Sequence, residues 1–117
     1  PLSSKTRNLI SRDRIALLRK DSYFINTSRG EVIDEDALAE ALIAGRVRGA
    51  ALDTFRKEPI PPEARILQAP NLVRTPHIGG STVEAIQRLI AQTTRNVRLV
   101  HAGHSPEHIV NGLEEKP

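Results

Sequence analysis

Apolar and polar positions change their spacing several times along the chain, and each change predicts an element. Ser11 can cap a short helix through about Arg19, in which Ile15 and Leu18 share one face. Ser22 to Asn26 reads as a strand, because Tyr23-Phe24-Ile25 is a short apolar run. Asp34 then opens a second helix as N-cap. Glu35 and Asp36 favour its positive end, Leu38, Ala41 and Leu42 line its buried face, and Gly45 stops it. Gly49 to Asp53, small and apolar, predicts the next strand. Pro59, Pro61 and Pro62 mark an irregular connection, and Asn71 to Thr75 supplies a third strand ended by Pro76. Ser81-Thr82-Val83-Glu84 reads as a capping box led by Ser81. In the long helix that follows, Ile86, Leu89, Ile90, Thr93, Val97 and Val100 repeat on one face, as if to lie along a sheet. Gly103 and Pro106 end that helix.

Strands alternating with helices imply a parallel sheet with right-handed crossovers, hence an α/β fold with flanking helices. Such sheets bind ligands beyond the carboxyl ends of their strands. Arg29 follows the first strand, Asp53 closes the second and His77 follows the third. Three polar side chains are thereby expected on one rim.

Composition narrows the classes of function. The 117 residues fit one domain at most, and no apolar run approaches the roughly 20 residues that cross a bilayer. Pro1-Leu2-Ser3-Ser4 has no signal-peptide character, and a start at Pro1 fits a processed protein or a cut fragment. No cysteine is present, so there is no disulfide framework or thiolate nucleophile, and a cytoplasmic location is expected. The net charge of +3 is spread along the chain among acids, and three aromatic residues are too few for base stacking. No nucleic-acid or membrane partner is expected. His101, His104 and His108 do not read as a metal site, because Gly103 and Pro106 break the helix that would align them.

Each rim residue has a chemical reading beside a structural one. His77 can hold or release a proton near neutral pH, which suits ketone reduction or alcohol oxidation, although a lone histidine is usually packed or solvated. Pro76 fixes its approach, and Gly79 and Gly80 leave room for a ligand near the main chain. Glu58 can orient the imidazole and favour its charged form, or lie in a surface turn. Arg29 can grip a carboxylate through two parallel hydrogen bonds, or pair with Glu31 or Asp34. Asp53 can meet a ligand amide or cap the turn after its strand.

The ordered segments Asn26-Thr27-Ser28-Arg29-Gly30, Asp53-Thr54-Phe55-Arg56-Lys57-Glu58-Pro59 and Thr75-Pro76-His77-Ile78-Gly79-Gly80 resemble the D-isomer-specific 2-hydroxyacid dehydrogenase family. The likeness runs from Pro1 to about Val100 and includes Thr6-Arg7-Asn8-Leu9-Ile10 and Val32-Ile33-Asp34-Glu35. It implies a partial Rossmann-like, doubly wound parallel sheet. Residues 1–100 would be the C-terminal half of the dinucleotide-binding domain, and 101–117 a tail or linker toward a substrate domain. It implies hydride exchange between a nicotinamide cofactor, NAD or else NADP, and a small 2-hydroxy or 2-keto acid. Arg29 would bind the substrate carboxylate, His77 would be the acid/base and Glu58 its partner. Thr27, Ser28, Arg29, Asp53, His77, Ile78, Gly79 and Gly80 would line the nicotinamide. Formate-oxidising relatives carry glutamine where Glu58 stands, so Glu58 points to hydroxy or keto acids. Arg56 and Lys57 depart from the acidic stretch usual before that glutamate. The complete parent would be a homodimer.

No Gly-x-Gly-x-x-Gly occurs in the chain, nor the residue that discriminates NAD from NADP. The adenosine side of the site and the smaller domain are therefore expected outside these residues, and the chain by itself is expected to be inactive. An alternative implied by the same likeness is an NAD(H)-sensing, corepressor-like regulator, since such proteins share the fold and its Arg, Glu and His.

Overall fold

The computed structural model describes residues 1–109, and the chain divides into two compact units, Pro1–Gly79 and a second beginning at Gly80. The first unit contains helix α1 (Arg12–Ala16), strand β1 (Tyr23–Asn26), a 3-10 turn (Gly30–Val32), helix α2 (Glu35–Ile43), strand β2 (Gly49–Leu52), a second 3-10 turn (Arg65–Gln68) and strand β3 (Leu72–Arg74). The strands form one sheet in the order β1-β2-β3, and both pairings are parallel. Asn26 pairs with Leu52, and Leu52 with Arg74, so three chain segments leave the sheet side by side.

One sheet face carries the core. Leu38, Ala41 and Leu42 of α2 are buried with Ile15, Ala50, Leu52 and Ile66, while Phe24 and Leu72 pack against them. Burying a side chain such as Leu38 stabilises the fold by about 2 kcal/mol. The alternate positions Tyr23, Ile25 and Val73 are exposed on the opposite face. α2 is fixed at both ends. The Asp34 carboxylate accepts from Ala37 N–H at 2.9 Å. Beyond the C-cap, Gly45 N–H donates to Leu42 and Arg46 N–H to Ala41, with Gly45 at φ +63°; this Schellman closure favours glycine at that turn. Glu40 on α2 also pairs with Arg12 at 2.5 Å and with Arg65, tying α1 and the second 3-10 turn to the same helix.

Several boundaries differ from the sequence expectation. α1 ends at Ala16, since Leu17 and Leu18 N–H groups turn back to Arg14 and Ile15 in tighter bonds, and Ser11 occupies the N-cap without a side-chain bond. Leu18 still packs on the core. β3 is shorter than Asn71–Thr75: Asn71 adopts φ +54°, and Thr75, whose N–H still donates to Leu52, is followed by Pro76, which has no N–H to continue the ladder.

The second unit is helix α3 (Val83–His101) with the turn that follows it. Its N-cap is Thr82, whose hydroxyl accepts from Ala85 N–H at 3.1 Å, so the cap lies one residue later than the Ser81 expected. Threonine supplies the same oxygen as serine, and the register of the helix decides which is used. At the other end Gly103, at φ +82°, closes a second Schellman turn through His104 N–H to Leu99. Glu107 exchanges hydrogen bonds with Asn96 and pairs with Arg95 at 2.7 Å. No α3 residue is buried, and the apolar stripe expected to lie along a sheet is exposed. No helix among the described residues is long and apolar enough to cross a membrane, and none of their His, Asp or Glu side chains form a group of three placed to hold a metal ion. The end of the tail assigned to 101–117 lies outside the described residues.

Candidate active site at the carboxyl ends of the strands

Asn26, the last residue of β1, is buried and organises the loop after it. Its Oδ1 accepts from Ser28 N–H at 3.0 Å and from the Ser28 hydroxyl at 2.7 Å, while its Nδ2 donates to the Arg29 carbonyl at 3.1 Å. The result is an Asx turn that leaves Thr27, Ser28 and Arg29 exposed. Gly30 then passes hard against the next loop. A Cβ there would lie 1.9 Å from the Phe55 carbonyl carbon, so no other residue fits without moving backbone. Glu35 holds the same loop from α2, accepting from Arg56 N–H at 3.0 Å, and the Arg56 guanidinium pairs with Asp36 at 3.0 Å.

Asp53 stands at the end of β2 and holds the loop after β3. Its Oδ1 accepts from the Thr75 hydroxyl at 2.5 Å and from Ile78 N–H at 2.9 Å, and its Oδ2 from Gly79 N–H at 2.8 Å. These donors, the Thr75 hydroxyl foremost, hold its carboxyl below the usual aspartate range. A Cβ at Gly79 would come within 2.9 Å of Oδ2, which is why the loop has glycine where it meets this carboxylate.

Between these anchored points His77 adopts φ +55°, the left-handed region that histidine visits rarely. Such a backbone costs on the order of 1–3 kcal/mol and persists where surrounding bonds fix it; here the Asp53 contacts lie on the two residues immediately after. Its Nδ1 is 2.8 Å from Glu58 Oε2. Glu58 Oε1 accepts from Phe55 N–H at 2.8 Å. His77 first, and then the Phe55 N–H, hold the Glu58 carboxyl below its usual range. An ionised carboxylate only accepts, so the shared proton sits on Nδ1 and the other ring nitrogen, Nε2, is left for exchange. Both side chains stay accessible, at 45% and 38%.

The pair opens onto a cavity of about 710 Å³ lined by Phe55, Glu58, Pro59, Ile60, Arg74, Thr75, Pro76 and His77. The structure thus brings Glu58 and His77 together and ties Asp53 to Ile78 and Gly79. Arg29 is not a wall of that cavity; its Nη1 donates to the Ser28 carbonyl at 2.7 Å. Gly80 opens the second unit. Sequence reasoning missed two residues here. Asn26 was legible as an Asx-turn former, with Ser28 two places on. Arg74 carried no local signal, since arginine ending a strand is ordinary surface chemistry.

Residues 1–79 match the family model of the D-isomer specific 2-hydroxyacid dehydrogenase NAD binding domain. The chain is 42% identical over 111 residues to a glyoxylate reductase of Thermofilum pendens, which covers 95% of this chain and 33% of that protein. Among solved structures it resembles the D-lactate dehydrogenase of Lactobacillus jensenii with NAD+ at TM-score 0.81 and 28% identity, covering 95% of this chain and 37% of that one. An NADPH-dependent glyoxylate/hydroxypyruvate reductase from Sinorhizobium meliloti, in complex with NADP and sulfate, gives TM-score 0.76 and 30% identity over 95% of this chain and 36% of that one. The chain spans about a third of the length of the Thermofilum reductase. These likenesses make the three-stranded parallel sheet part of a Rossmann-type fold and favour the dehydrogenase reading over the regulator. The chain belongs to the NAD-binding domain family of the D-isomer-specific 2-hydroxyacid dehydrogenases.

Proposed function

We propose that this chain carries the acid/base and nicotinamide side of an oxidoreductase acting on small 2-hydroxy or 2-keto acids. The observation that supports it most directly is the Glu58–His77 contact of 2.8 Å at the carboxyl ends of parallel strands. Residues 1–100 would be the C-terminal half of the dinucleotide-binding domain, with 101–117 leading toward the substrate domain. The nicotinamide end of NAD, or of NADP, would lie against the backbone of Thr27–Arg29 and His77–Gly80. Asp53 accepts three hydrogen bonds of the roughly four a carboxylate can take, which leaves capacity for a ligand amide. When bound, the nicotinamide supplies or takes up the hydride.

The chain's own residues would handle the proton and the acid. Glu58 holds Nδ1, so in reduction the imidazolium gives its Nε2 proton to the C2 ketone oxygen, and in oxidation Nε2 receives it. Arg29 would grip the substrate carboxylate, for which its guanidinium has to leave the Ser28 carbonyl. The complete enzyme is inferred to be cytoplasmic and homodimeric, with neither nucleic acid nor membrane as a partner.

The test is a chimera in which this chain replaces the matching segment of the Thermofilum glyoxylate reductase. It is expected to reduce glyoxylate with a reduced nicotinamide cofactor, and His77→Asn to lower turnover by roughly a hundredfold or more. Asparagine tolerates the same left-handed backbone, so the loss reports the imidazole and not the loop. Unchanged turnover in that variant ends the assignment. The 117-residue chain alone, lacking the glycine turn that cradles a pyrophosphate, should show no measurable turnover.

A further inference from the structure

Arg74 ends β3 and lines the cavity that holds Glu58 and His77. Among the described residues its side chain takes part in no hydrogen bond or ion pair. Phe55, Pro59, Ile60 and Pro76 make much of the remaining wall apolar. When the imidazole is protonated, Glu58 and His77 satisfy each other's charge, and the Arg74 guanidinium is then the uncompensated charge of the cavity. An apolar-walled cavity with one unpaired guanidinium is a receptor for an anion, and its planar fork matches carboxylate and phosphate oxygens.

Nothing in the reaction proposed above uses this charge, because the carboxylate beside the reacting carbon is assigned to Arg29. β2 lies between β1, whose following loop carries Arg29, and β3, which ends at Arg74; those two strands are roughly 10 Å apart. Two arginine side chains and a short acid with an anion at each end can close that gap. Resting on the proposed function, we infer that Arg74 selects 2-keto acids bearing a second anionic group, a carboxylate or a phosphate, at the end remote from the reacting carbonyl.

Two measurements test this. In the chimera, the ratio of kcat/KM for oxaloacetate or 3-phosphohydroxypyruvate to that for glyoxylate is expected to fall by about 10- to 100-fold in Arg74→Gln, the scale of a charge-assisted bond. The loss should appear chiefly in KM, and Arg74→Lys should restore part of it by keeping the charge without the fork. The two substrates separate a carboxylate from a phosphate preference. An unchanged ratio overturns the inference, as does an equal loss with glyoxylate, which would make Arg74 the holder of the primary carboxylate. A chimera without glyoxylate activity would instead fail the proposed function, and the second measurement then decides Arg74 separately. In it, the 117-residue chain is titrated with succinate, inorganic phosphate or acetate while the Arg74 side-chain NMR signal is followed. Saturable shifts with succinate or phosphate, weaker with acetate and with binding lost in Arg74→Gln, support the site. No shift, or binding that survives the substitution, overturns it.

Discussion

Helices α2 and α3 are both amphipathic, capped by a side-chain oxygen and closed by a Schellman glycine, yet they end in opposite states. α2 has nine residues, of which six are buried; α3 has nineteen, of which none is. The pattern of apolar positions specifies which face a helix would bury. Whether it is buried depends on what covers that face, and for α2 the covering side chains are Ile15, Ala50, Leu52 and Ile66 of the same unit. α3 is held instead by local devices: the Thr82 cap, the Gly103 turn, and Asn96 and Arg95 bound to Glu107. Truncation separates the two cases.

The largest effect is expected at the centre of the α2 core. Leu38 is fully buried, and Leu38→Ala should cost about 4 kcal/mol, a transfer term plus a cavity term. Tyr23 is the only tyrosine and there is no tryptophan, so tyrosine fluorescence during denaturant unfolding reports the first unit alone. A cost under about 1 kcal/mol would mean that α2 is not the core element described here. Next comes Gly30→Ala, whose new Cβ meets main chain at 1.9 Å. It should cost about 3 kcal/mol by forcing backbone to move. Because it pushes the Arg29 loop off the Phe55–Glu58 loop, it should also lower chimera activity without touching a reacting group.

A smaller effect belongs to Asp53 and appears only in acid. Its folded pKa lies below its unfolded value, so its contribution is complete above the unfolded value and is lost as pH falls through the folded one. Protection of the Ile78 and Gly79 amides, taken relative to their intrinsic exchange rates, should therefore fall below about pH 4. In Asp53→Asn these amides should exchange fast at neutral pH, with less further change in acid. Protection of both amides that is identical in the variant would show that the carboxylate does not hold this loop.

These expectations draw unequally on sequence and structure. The parallel sheet was legible because strand-like runs alternate with helical spacing and turn residues, and the approach of Glu58 to His77 because the ordered motifs carry it. The left-handed backbone of His77 was not legible, since it arises from bonds between Asp53 and residues 78 and 79, 25 and 26 positions away. Asp53 itself read as a ligand contact or a cap on its own turn, whereas the carboxylate reaches the loop of the neighbouring strand. Thr82 and Ser81 offer the same hydroxyl, and only helix register chooses between them. Arg74 became visible once the strand pairing set it beside the cavity.

The smallest effect is expected on the α3 stripe, and it bears hardest on the comparison. Leu89 is 65% exposed, so truncating it removes little buried surface, and alanine is at least as good a helix former as leucine. Leu89→Ala in the 117-residue chain should change the stability of α3 by no more than about 0.5 kcal/mol, the range of surface substitutions. Amide hydrogen exchange along residues 86–100 reads this directly, because it resolves the helix from the first unit. Thr82→Ala provides the scale, since loss of an N-cap costs about 1 kcal/mol and should quicken exchange more than Leu89→Ala does. If the leucine truncation proves the costlier of the two, the stripe is covered in solution and α3 behaves as a second α2. Repeating the exchange at tenfold dilution then identifies the cover: a penalty that shrinks on dilution comes from another copy of the chain, and one that persists comes from within it.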